Sequence, residues 1–109
     1  MSTSRLSLSA YRPKPGRGDE FLPHIRHEVA TLRARGHITN RPAPISLTDR
    51  SEYLVITEWA SASSADEAHE DDVVQEVWRR KEQLVDYIAP SDLDKSSVPF
   101  VSYDVLEDL

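Results

Sequence analysis

Two hydrophobic rhythms alternate along the chain. In "LSLSAYR" (6–12), Leu6, Leu8 and Ala10 alternate with Ser7, Ser9 and Tyr11, the two-residue period of a strand. Proline and glycine in "PKPGRG" (13–18) break it. In "DEFLPHIRHEVATLRARG" (19–36), Phe21, Leu22, Ile25, Val29 and Leu32 recur at helical spacing and form one stripe. Asp19 suits the helix start and Gly36 its stop. Pro23 is compatible with that helix only in the first turn or at a small kink.

"ITNRPAPISLTD" (38–49) reads as a strand that Pro42 and Pro44 confine to a sheet edge. "EYLVITEW" (52–59) is the strongest strand signal, with Tyr53, Val55, Thr57 and Trp59 on one face and Leu54, Ile56 and Glu58 on the other. A second helix is predicted over about 64–88, with Val73, Val74, Val77, Trp78, Leu84, Val85 and Ile88 as its stripe. A polar loop (89–99) and a last strand, "PFVSYDVLE" (99–107), complete the chain.

The order βαββαβ predicts an α+β fold of the ferredoxin-like kind: one domain over 1–109, with a four-stranded antiparallel sheet and both helices on one face. The 52–59 strand carries large apolar residues on both faces, whereas the face away from the helices would be wet in a monomer. Two sheets meeting face to face would cover it, so a homodimer is expected.

Composition narrows the function classes. The 109 residues are 39% hydrophobic and 29% charged, as in soluble globular proteins. No apolar run approaches a membrane span. "MSTSRLSLSAYRPKPG" lacks the basic start and unbroken apolar region of a secretion signal. Cysteine is absent, which removes disulfides, thiolate nucleophiles and cysteine-ligated metals, and a cytoplasmic location is expected. The net charge of −6 conceals an asymmetry. Residues 1–50 carry nine Lys/Arg and four Asp/Glu, and residues 51–109 carry four and fifteen. The basic residues are spread out, unlike the concentrated face that nucleic acid requires. A basic helix lying beside an acidic one, or meeting it across subunits, fits better.

Candidate chemistry centres on "EWASASSADEAHEDD" (58–72), where His69 sits among five carboxylates. Ser64 with Glu67 fits a capping box, and Asp71 and Asp72 would cap again if the helix breaks near 70. No second histidine lies at ligand spacing, so no metal site is expected. His69 flanks the apolar stripe, and an imidazole with a pKa of about 6.5 suits proton transfer. His24 and Glu28, four apart, form either an ion pair or an acid–base pair. Lys81 falls in the apolar stripe, where it either snorkels or binds an acidic ligand. Glu58 on a buried strand needs a partner, for which Lys81 or an arginine is the obvious choice. Tyr11, Tyr53, Trp59, Trp78 and Tyr103 either fill the core or line an apolar cavity. The candidate catalytic residues are thus His69, His24 and Glu58. The candidate ligand contacts are Tyr11, Trp59, Trp78, Lys81 and Tyr103.

The first helix with its glycine stop, "YLVITEWAS", "AHEDDVVQEVWRR" and a final "PFVSYDVL" together resemble the antibiotic-biosynthesis-monooxygenase-like branch of the dimeric α+β barrel proteins, over residues 5–106. The resemblance implies a dimeric α+β barrel that binds an apolar or aromatic small molecule, in the manner of a cofactor-independent monooxygenase. The alternative is a non-catalytic dimeric module that binds a ligand or partner. Haem-degrading relatives use an Asn on the first strand, and a Trp followed ten residues later by a His on the second helix. Here the first strand offers Ser7 and Ser9, and Trp59 and His69 belong to different elements, so haem degradation is not expected.

Overall fold

A computed structural model describes residues 3–109. Its elements are β1 (Arg5–Pro13), α1 (Gly18–Ala34), β2 (Pro44–Leu47), β3 (Tyr53–Trp59), α2 (Ser64–His69), α3 (Asp72–Glu82), β4 (Val85–Ile88) and β5 (Asp104–Asp108), with a single 3-10 turn at Pro90–Asp92. The strands form one sheet in the order β4-β1-β3-β2-β5, antiparallel throughout.

This overturns the four-stranded βαββαβ sheet and the dimeric α+β barrel expected from the sequence. The sheet has five strands and is open, with β4 and β5 as its two edges, and three helices accompany it. The extra strand was hidden in the tail of the predicted second helix. Val85 and Ile88 stand three apart, a spacing that imitates a helical stripe. In the structure α3 ends at Glu82, and residues 85–88 turn back to pair with β1. The C-terminal strand begins only at Asp104 and adds to β2, on the edge far from β4.

The predicted second helix also divides at its acidic stretch. Asp71 adopts an extended conformation, and its side chain accepts the Val73 N–H at 3.0 Å, capping α3. Arg35 and the ring of His37, 2.8 Å away, hold that carboxyl well below the usual range. The Ser64–Glu67 capping box does not form. Ser64 is buried and accepts the Ser61 N–H at 2.9 Å, while the Ser63 hydroxyl donates to Glu67. Gly36 stops α1 as expected. Its φ of +78° is left-handed, and the His37 N–H reaches back to the Leu32 carbonyl at 2.9 Å.

The core lies between the sheet and the helices. Phe21, Ile25, Val29 and Leu32 of α1 meet Ile45, Val55, Val74 and Val85. Each such side chain contributes roughly 1.5–3 kcal/mol on burial. The Phe21 ring packs on Tyr53 at 4.6 Å and on Tyr11 at 5.5 Å. Register then divides the sheet residues. Leu8 opposes Ile56, and Ala10 opposes Leu54 and Ile88, so all of these share the face away from the helices. On that face Leu6 is 59% exposed, Leu8 53% and Val105 60%. Among the described residues, no helix is long and apolar enough to cross a membrane.

Candidate functional site

The helix-side face of β1 is built from small polar residues. Ser7 opposes Thr57, and Ser9 opposes Val55. Strand alternation alone would bury Leu6 and Leu8, yet it is the serines that face inward. Their short side chains leave a cavity of about 410 Å³ between the sheet and the helices. Trp59, Trp78, Tyr11 and Tyr87 line it with aromatic surface.

Lys81 of α3 also lines this cavity, although it is only 4% exposed. Its Nζ donates to the Tyr11 hydroxyl at 3.0 Å and lies 2.8 Å from Glu28 Oε1. The ammonium also stands over the Tyr11 ring, 4.7 Å from its centroid. Burial alone would favour the neutral amine, but the Glu28 carboxylate and Tyr11 outweigh it, and the Lys81 pKa stands above its ordinary value. The cavity therefore holds a fixed, desolvated Lys81–Glu28 ion pair beside a phenol.

Five of the sequence-predicted residues converge here: His69, Tyr11, Trp59, Trp78 and Lys81. His69 is exposed at the rim, with its ring edge-on to Trp78 at 4.7 Å. The other three lie elsewhere. His24 sits between α1 and α3, its Nε2 buried without a hydrogen-bond partner among the described residues. Burial lowers its imidazole pKa, although Glu28 and the Val77 backbone pull the other way. Glu58 points to the opposite face of the sheet, where Thr39 Oγ1 donates to it at 2.8 Å and Arg41 pairs with it at 3.2 Å. The partners expected for these two charges are therefore exchanged: Glu58 has its arginine, and Lys81 has Glu28. Tyr103 donates its hydroxyl to the Asp94 carbonyl and does not reach the cavity.

The sequence does not single out Tyr87, because residues 85–88 also fit a helical stripe, nor the serine floor of β1. The signal for Tyr87 was its two-residue offset from Val85, the period of a strand. Among the described residues, no group of three His, Asp or Glu side chains is arranged to hold a metal ion.

Comparison with known proteins now places the chain. No curated protein matches it. A solved structure of a NIPSNAP family protein from Agrobacterium tumefaciens strain C58 is similar, with a TM-score of 0.58 at 20% identity, covering 86% of this chain and 91% of that one. At that identity the likeness concerns the fold alone. The family model described as Antibiotic biosynthesis monooxygenase matches residues 8–81, a span that holds most of β1 with Ser9, both tryptophans, His69 and Lys81. By that match over more than half its length, the chain belongs to the antibiotic biosynthesis monooxygenase family.

Proposed function

We propose that this protein is a single-domain small-molecule-binding module whose ligand is flat, mostly apolar and equipped with one oxygen acceptor. The observation that carries this reading is the pairing of aromatic walls with a buried Lys81–Glu28 ion pair whose ammonium also donates to the Tyr11 hydroxyl. The walls favour a ring system, and the Lys81–Tyr11 pair favours a carbonyl, enol or phenol oxygen. The chain's two tryptophans, Trp59 and Trp78, both line the cavity, so intrinsic fluorescence reports its occupancy directly. Titration with a panel of planar phenols and quinones should give saturable quenching. Filling the cavity with Ser9→Phe should abolish that quenching. Quenching that survives this substitution, or none across the panel, would overturn the proposal.

A second reading keeps the family's named activity in view. His69 at the rim, edge-on to Trp78, is placed to remove a proton from an electron-rich ligand. Molecular oxygen would then accept the ligand's electrons, with one oxygen atom entering the ligand and the other leaving as water. Oxygen consumption that depends on a quenching ligand and is lost in His69→Gln would support this reading. A ligand that binds without consuming oxygen would leave the module as a binder.

The same reading assigns a second copy of the chain to the exposed face carrying Leu6, Leu8 and Val105. Native mass spectrometry should show twice the chain mass, reverting to the single mass in Leu8→Lys. A clean monomer at micromolar concentration would remove the dimer.

A further inference from the structure

A larger opening lies at the end of the sheet where β1 runs into α1, apart from the aromatic cavity. It measures about 600 Å³, and its wall carries Arg12, Lys14, Arg26 and Arg50. Asp19 is the one acid on that wall. In a chain of net charge −6, four cations around one opening depart from what composition alone would give.

Each cation has an acidic partner outside the lining of the opening. Arg12 and Arg50 share one fully buried carboxylate, Glu52, at 2.8 and 3.4 Å, and Asp94 stands 3.8 Å from Arg50. Lys14 meets Asp86 at 2.9 Å, and Arg26 meets Glu107. None of these carboxylates lines the opening. Glu52 is fully buried, whereas Asp86 and Glu107 keep part of their surface in solvent. A guanidinium offers five N–H donors in a planar fork, more than these contacts use. Leu22, Pro23 and Tyr53 close another side of the opening with apolar surface.

We infer that this opening is a second ligand site, for a small molecule with a multiply charged oxyanion head and a short apolar body. The head group is a phosphate ester or a di- or tricarboxylate. The four cations surround it, and the Leu22, Pro23 and Tyr53 surface receives the body. Asp19 limits the affinity by facing the same anion. The site does not depend on the aromatic cavity being occupied.

A nitrogen-edited NMR titration of the full chain tests the inference, with inorganic phosphate and citrate as probes and sodium chloride at matched ionic strength as reference. The amides of Gly18, which lines the opening, and of nearby Gly16 serve as reporters. Their shifts should saturate with phosphate, citrate or both, and not with chloride. Phosphate alone would identify an ester head, and citrate alone a polycarboxylate. The double substitution Lys14→Gln/Arg26→Gln spares the buried Glu52 and should weaken binding by about tenfold or more. Asp19→Asn should tighten it. Shifts that follow ionic strength alike for all three salts, or equal affinity in all variants, would overturn the site.

Discussion

Two carboxylates disappear into this small fold, and they are satisfied in opposite ways. Glu28 meets a cation that is itself buried, Lys81, at 2.8 Å beside the aromatic cavity. Glu52 is fully buried at the other end of the sheet, yet its cations Arg12 and Arg50 stand half in solvent. Glu52 also accepts the Thr48 hydroxyl at 3.1 Å and the Asp94 N–H at 3.0 Å. Burial would raise its pKa, but the Asp94 N–H, Arg12, Thr48 and Arg50 together hold it below the ordinary value. Glu52 is a staple fastened at several points, joining the β2–β3 turn to the 89–94 segment. Glu28 and Lys81 form a closed pair whose desolvation is compensated mainly by each other. A closed pair next to a cavity is a costly arrangement for stability alone.

The largest test of this contrast is Lys81→Met, which strands Glu28. Stability in urea should fall by about 3–5 kcal/mol, and Lys81→Met/Glu28→Met should restore most of it. A single-mutant loss below about 1 kcal/mol would dissolve the distinction between the two carboxylates. Glu52→Gln should cost less, about 1–3 kcal/mol, because its two arginines return to water while the Thr48 and Asp94 donors keep an amide oxygen. Arg12→Ala should cost under about 1 kcal/mol in the same assay and shrink further with added salt, since Arg50 remains. The smallest effect concerns His24, close to the closed pair. Its folded pKa lies below the ordinary 6.5, so the unfolded chain binds the proton more readily. Stability should therefore decline as pH falls below about 6.5, and His24→Asn should flatten that slope without altering stability at pH 8. A slope of equal size in His24→Asn would assign the decline to another group.

Much of the fold was legible where pattern and local geometry agree. The α1 stripe, its Gly36 stop and the two-faced β3 are set by spacing alone. The break at Asp71 was legible as a conditional, because an aspartate can cap a helix only where the helix has already broken. What stayed hidden was decided by long-range pairing. Val85 and Ile88 fit a helix as well as a strand, and only the edge of β1 decides between them. The cavity was half visible. Aromatic residues and Lys81 stood out by type, but Ser7 and Ser9 became important only once the register turned them inward. Glu58 drew attention as a charge on an apolar strand, and it proved to belong to the outer face.

The order of strands in the sheet differs from their order in the chain, and this bears on how the protein is made. β1 is synthesised before the other four strands, yet its neighbours are β3, at residues 53–59, and β4, at residues 85–88. β2 waits for β5, the last of the five. Only the β2–β3 hairpin closes locally, with Leu47 opposite Tyr53. Loop closure favours that hairpin as the first piece of sheet to form. On the ribosome, β1 therefore remains open on one edge until β4 has followed it, and a chaperone or an early partner would find it the longest-exposed of the five strands.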